Sequence, residues 1–166
     1  MWKIGTRELA ASAIMGALVC VATLFFYFPI PATQGYFNVG DAMVMVAALT
    51  FGPVVGCIAG GLGSALADFL GGWYVWVPFT LVIKGIEGFL AGWVLGTGSK
   101  ENWTFRTVLA WIIGGLEMVT GYFLVQVYLY GFGAALVEAP FNFVQMGVSG
   151  IIGVPISIAL KKRLRI

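Results

Sequence analysis

Residues 77–96 read VPFTLVIKGIEGFLAGWVLG, and how this stretch is read decides the fold. At about 1.5 Å per residue it makes a helix of about 30 Å, the thickness of a bilayer's hydrocarbon core. Gly88, Gly92 and Gly96 recur at every fourth position, and Lys84 and Glu87 stand three apart on the same face. An ionisable group at mid-membrane costs at least about 2.5 kcal/mol on insertion scales, so Lys84 and Glu87 each require a partner or a task.

The rest of the chain has the same character. Of its 166 residues 60% are hydrophobic and only 10% charged, with 24 glycines and a mean hydropathy of +0.98. A soluble domain carries about a quarter charged residues. This composition excludes a cytosolic enzyme and a disordered regulator, and a net charge of +2 leaves no basic footprint for nucleic acid. The chain belongs in a lipid bilayer. Histidine is absent, which removes the commonest metal ligand and acid-base catalyst, so neither a metal nor a cofactor is expected. Cys20 and Cys57 lie inside apolar runs and do not suggest a disulfide framework.

Six apolar segments are expected to span, near 8–28, 39–52, 54–71, 77–96, 104–130 and 137–160, giving an all-α membrane protein with a single domain over 1–166. Pro29 and Pro31 end the first, Gly52-Pro53 divides the second from the third, and Gly71-Gly72 ends the third. Residues 96–102 are the one plainly polar connection. Lys3 and Arg7 fit a signal peptide, but the first run is of spanning length and no A-x-A site precedes a polar mature domain, so it is read as a helix. Six spans put both termini on one side. Of nine basic residues all but Lys84 (Lys3, Arg7, Lys100, Arg106, Lys161, Lys162, Arg163 and Arg165) fall on that side, which the positive-inside rule makes cytoplasmic. The opposite loops, near 31–37, 72–76 and 131–138, hold no basic residue, and Trp73, Tyr74 and Trp76 read as an interfacial belt.

Small residues recur at four-residue spacing in Ala48, Gly52, Gly56, Gly60 and Ser64, in the glycines of 77–96, and in Ala13 and Ala17. Such stripes let helix backbones approach closely inside one molecule. On Ala13 and Ala17, in the cytoplasmic half of the first helix, the stripe also suits a partner protein.

With this orientation the polar residues gather in the outer half. Asp41 opens the second helix at the outer edge and Asp68 closes the third at that level, while Lys84 and Glu87 lie about 10 and 15 Å deep. Glu117 falls in the middle to outer half of the fifth helix with Tyr122 above it. On the sixth, Asn142 and Gln145 share one face at about 8 and 12 Å. Each has a plainer reading too: an ion pair for Lys84 and Glu87, interhelical hydrogen bonds for Asn142 and Gln145, helix caps for Asp41 and Asp68. Convergence on one layer favours a cup closed toward the cytoplasm, since no polar trail continues inward as a channel or proton relay would need. Aromatic residues around its mouth, including Tyr36, Phe37, Tyr128 and Tyr130, suit a planar, hydrogen-bonding heterocycle, and several carboxyls against one lysine disfavour an anionic one. The chain has no phosphate-binding loop; Gly96-Thr97-Gly98-Ser99-Lys100 lacks the spacing and the preceding strand, so uphill transport would need a partner.

Nearly the whole sequence resembles the substrate-binding S component of an energy-coupling factor (ECF) vitamin transporter. The matching pieces are Ala13-Ile14-Met15-Gly16-Ala17, Tyr36-Phe37-Asn38-Val39-Gly40-Asp41, Phe51-Gly52-Pro53-Val54-Val55-Gly56 running on to Asp68, Lys84-Gly85-Ile86-Glu87-Gly88, and Asn142-Phe143-Val144-Gln145 through Pro155. The resemblance implies a six-helix bundle in a prokaryotic plasma membrane that binds a vitamin or precursor from outside, in the branch assigned to hydroxymethylpyrimidine or pyridoxine. It also implies docking through Ala13 and Ala17 onto a membrane coupling subunit with two ATP-binding-cassette ATPases, toppling to release substrate, and a lid over residues 31–38. The candidate binding residues are Tyr36, Asn38, Asp41, Asp68, Lys84, Glu87, Glu117, Tyr122, Asn142 and Gln145. Two other classes compete: a membrane enzyme using Glu87, Glu117 or Asp68 as acid and base, and a self-contained channel or carrier.

Overall fold

A computed structural model describes residues 5–96 and 103–164. Lys3, Lys100 and Arg165, on which the orientation partly rests, and the polar connection over 97–102 lie outside the described residues. Six helices occur among those described: α1 (Thr6–Phe25), α2 (Gly40–Phe51), α3 (Pro53–Gly71), α4 (Val77–Gly96), α5 (Trp103–Tyr130) and α6 (Phe132–Leu164). Between α1 and α2 stands an antiparallel hairpin, β1 (Tyr27–Ile30) and β2 (Gly35–Asn38), with Tyr27 opposite Asn38 and Ile30 opposite Gly35.

Five of the six helices are long and apolar enough to cross a membrane. The exception is α2. Its 12 residues reach about 18 Å, and ten of them are buried. The expected second span is therefore a core helix, apolar all round because α1, α3, α4 and α6 surround it. Met45, Ala48 and Leu49 pack with Ala91, Leu95, Ala110 and Val154, while Val46 and Ala47 pack with Met15, Val55 and Ala59. The hairpin occupies the length that α2 leaves open.

The first helix also stops earlier than its hydropathy suggests, at Phe25, because Tyr27–Ile30 pairs with β2 and Pro29 cannot continue a helix. The sixth starts earlier, at Phe132, so residues expected in a loop over 131–138 are helical. Gly131, at φ +85°, makes the break from α5, and Gly72, at φ +84°, ends α3.

The small-residue stripes serve close approach of α3 and α4. A Cβ on Gly56 would lie 2.5 Å from the Gly88 carbonyl oxygen, and one on Gly60 would lie 2.6 Å from that of Lys84. On the other side of α3, Gly63 would meet the Gly16 carbonyl at 2.6 Å, which brings α1 in. Among the described residues nothing comes within 4 Å of a Cβ on Gly96, and Ala13 and Ala17 are exposed. At the end of the bundle that holds the termini, Arg106 Nη2 donates to the Val94 and Leu95 carbonyls at 2.9 and 3.0 Å and closes the end of α4.

Candidate functional site

The hairpin end of the bundle contains a cavity with about 390 Å³ of space free of protein atoms, part of it open to solvent. Each element reaches it for a local reason. Because α2 begins low, β2 dips between the helices and brings Gly35, Tyr36 and Asn38 to the wall. Ser64 and Asp68, four apart, come from the last turns of α3. Trp76, Thr80 and Lys84 form a ladder at four-residue spacing along α4 and the turn before it, Tyr122 comes from α5, and Glu138, Asn142 and Gln145 share one face of α6.

One set of polar groups is bonded together. Lys84 Nζ donates to Asp41 Oδ1, and to Glu87 Oε2 at 2.9 Å. Gln145 Nε2 donates to the other Asp41 oxygen at 2.9 Å, while Gln145 Oε1 accepts from the Asn38 backbone N–H at 2.8 Å. Asn38 Oδ1 in turn accepts from the Gly40 N–H at 2.9 Å. This chain ties the hairpin to α2, α4 and α6. Asp41 was expected at the outer edge as a helix cap; instead it lies at the depth of Lys84, 1% exposed, because α2 starts inside the bundle.

Aromatic side chains build the walls. Trp76 was expected in an interfacial belt, but it is 4% exposed, donates through Nε1 to the Gln34 carbonyl at 3.1 Å, and stacks on Tyr130 at 6.1 Å between ring centroids. Tyr74, at 64% exposure, does fit such a belt. Tyr122 donates to Thr80 Oγ1 at 3.1 Å and lies under the Lys84 ammonium. Tyr36 packs on Trp73 at 5.1 Å and its hydroxyl donates to Asp68 Oδ1. Burial first, and then the Asp68 carboxylate beside it, push the Tyr36 hydroxyl well above its ordinary range, so it stays protonated as a donor.

A second set of wall atoms is buried with no well-formed hydrogen bond to the protein: Asp68 Oδ2, with the Thr80 hydroxyl near that carboxyl, Glu138 Oε2 and Asn142 Nδ2. Their residues are 1%, 3% and 4% exposed. Such groups cost stability unless something bonds them, and all three line the cavity.

Of the ten residues singled out by sequence, Tyr36, Asn38, Asp68, Lys84, Tyr122, Asn142 and Gln145 stand in the wall. Asp41 and Glu87 lie behind it, bonded to Lys84, and half-buried Glu117 lies outside the lining with its Oε2 unpartnered. Sequence reasoning missed Glu138, Trp76, Thr80, Ser64 and Gly35. Two of these carried a signal: Glu138 precedes Asn142, and Trp76 precedes Thr80 and Lys84, at helical spacing.

The sequence model of the family described as "ECF-type riboflavin transporter, S component" matches residues 3–162. The chain belongs to the ECF transporter S components. A Lactococcus lactis protein described as the thiamine precursor transporter HmpT is 31% identical over 157 residues, 94% of this chain and 89% of its own. A Pyrococcus woesei protein described as uncharacterized is 48% identical over 148 residues, 88% of this chain and 96% of its own. A solved S component of a bacterial ECF transporter superposes with a TM-score of 0.59 at 19% identity, over 96% of this chain and 95% of that one, a likeness of fold. This S component is thus a substrate-binding subunit of a membrane transporter and not an enzyme, and it is a multi-pass protein of the prokaryotic plasma membrane.

Proposed function

We propose that this S component captures a pyrimidine-type vitamin precursor, hydroxymethylpyrimidine ahead of pyridoxine, in the cavity at the hairpin end, with that end facing the cell exterior. The observation that carries the reading is the coincidence, in one narrow cavity, of aromatic walls with three buried polar atoms that lack partners. Small-molecule sites combine apolar walls with a few convergent polar groups in this way. Lys84, the one cationic side chain among the described wall residues, is already bonded to Asp41 and Glu87, which disfavours an anionic ligand. The name of the HmpT relative points the same way.

Purified protein should gain stability with hydroxymethylpyrimidine, by about 2.7 kcal/mol at a hundredfold excess over Kd. The gain should be smaller with pyridoxine and absent with riboflavin. A panel in which riboflavin alone stabilises would reverse the choice, and mass spectrometry of the small molecule that co-purifies would decide it directly.

Release to the cytoplasm then depends on partners. Ala13 and Ala17 are exposed on α1 and flanked by Ile14 and Leu18, at 63% and 45% exposure. This small-residue face is proposed to dock on a membrane coupling subunit that carries two ATP-binding-cassette ATPases. Ala17→Trp should leave ligand binding intact and abolish co-purification with the coupling subunits; undiminished co-purification would remove α1 from the interface.

A further inference from the structure

Glu138 and Asn142 stand four residues apart on one face of α6, both in the cavity wall. Glu138 presents a lone acceptor, Oε2, and Asn142 a lone donor, Nδ2, and neither side chain reaches a protein partner through that atom. The hairpin passes close to Glu138: a Cβ on Gly35 would come within 3.0 Å of Glu138 Oε1 and 3.3 Å of Oε2, so only a glycine fits there without a shift. One acceptor beside one donor is the complement of a particular chemical edge: a ring nitrogen next to a carbon that bears an amine. The amine donates to Glu138 while the ring nitrogen accepts from Asn142.

We propose that Glu138 and Asn142 form a specificity pair that reads the amine and adjacent ring nitrogen of an aminopyrimidine, and that rejects the same ring when an oxo group replaces the amine. The inference rests on the proposed pyrimidine-binding role of this cavity. Its chemistry is one of pattern reversal. In the oxo ring the nitrogen carries a hydrogen and becomes a donor, while the exocyclic oxygen becomes an acceptor. Oxygen then faces carboxyl oxygen and that contact is lost, while the ring N–H is paired only if the Asn142 amide turns its Oδ1 toward it. Sites that read polar groups reject mismatched analogues far more strongly than apolar pockets reject a missing methylene. Asp68 Oδ2, the third unpartnered atom, remains for a second donor on the ligand such as a hydroxymethyl group.

The test measures binding of hydroxymethylpyrimidine and of its oxo analogue to the detergent-purified full chain. Wild type should favour the amine by roughly 100-fold or more. The double variant Glu138→Gln/Asn142→Asp introduces a donor at 138 and replaces the donor at 142 by an acceptor, while keeping formal charge and side-chain size. It should move the amine-to-oxo ratio by at least about 100-fold toward the oxo ring. Glu138→Gln alone, whose amide can turn either way, should level the ratio without inverting it. Thermal unfolding without ligand confirms that each variant is folded. A wild type that binds both rings equally, or a folded double variant with an unchanged ratio, overturns the edge assignment but not pyrimidine binding. A wild type that binds neither ring overturns the pyrimidine reading and this inference with it.

Discussion

Two sets of buried polar groups share the hairpin end of this bundle, and they differ in whether the protein bonds them. Lys84 holds Asp41 and Glu87, and Gln145 links that cluster to the hairpin backbone. Asp68, Glu138 and Asn142 line the same cavity, yet each keeps one atom with no partner. Both sets consist of residues that lipid disfavours, so composition alone cannot separate them. Hydrogen bonding and place in the wall together can, since Glu87 also keeps one unpartnered oxygen, Oε1, but lies behind the wall. The first set serves the fold, and the second is left over for something the fold does not supply.

The comparison breaks most easily at Lys84. In Lys84→Met the Asp41 and Glu87 carboxyls would stay buried without their cation, a loss of about 3–5 kcal/mol. Ligand-free unfolding in detergent would register it, and a variant as stable as wild type would move Lys84 from the structural set to the binding set. A smaller loss is expected at the α3–α4 contact. A Cβ at Gly88 runs into the Gly56 backbone, so Gly88→Ala should cost about 1–3 kcal/mol. Gly96→Ala, where no described residue comes within 4 Å of the new Cβ, serves as the control and should cost nothing measurable. Equal melting temperatures for the two would mean that the stripe is not an interhelical contact.

These outcomes bear on how much of the molecule was legible beforehand. Long apolar helices could be read because the bilayer demands them, and the glycine stripe of α3 and α4 because lipid offers no other drive for close packing. The true place of α2 was not, since an apolar run of 12 residues reads equally as a short span or a core helix until its neighbours are known. The hairpin was hidden for a related reason: β1 continues the hydropathy of α1, and only its pairing with β2 makes it a strand. Two errors in the site followed from element boundaries. Reading 131–138 as a loop left Glu138 at the very edge of α6, whereas a start at Phe132 puts it about two turns into the helix, in the same wall as Asn142. Assigning Trp76 to an interfacial belt broke a ladder that runs on to Thr80 and Lys84. Helical phase was recoverable from sequence; the depth of Asp41, and which atoms end up without partners, were not.

Tyr36 sits between the two sets and sharpens the line between them. Its hydroxyl bonds one Asp68 oxygen and leaves the other unpartnered, so it is both hairpin anchor and cavity wall. Tyr36→Phe should lower ligand-free stability by about 1–2 kcal/mol, because a buried acceptor loses its donor. It should also loosen the hairpin, read as faster amide exchange over 35–38. Unchanged exchange would show that Asn38 and Gln145 hold the hairpin by themselves.

The smallest effect on stability is expected where the largest effect on binding is proposed. Glu138 is buried, its Oε2 bonds nothing, and Gly35 packs close to the carboxyl. A group in that position is a cost to the folded protein whenever the cavity is empty. Glu138→Gln keeps the shape and removes the charge, so ligand-free stability should stay within about 0.5 kcal/mol of wild type or rise by about 1 kcal/mol. Lys84→Met should lose stability whether ligand is present or not; Glu138→Gln should lose only the increment that ligand adds. If Glu138→Gln instead destabilises the empty protein as strongly as Lys84→Met does, then Glu138 belongs with the bonded set. The division between groups that build the fold and groups that wait for a solute would then have been drawn in the wrong place.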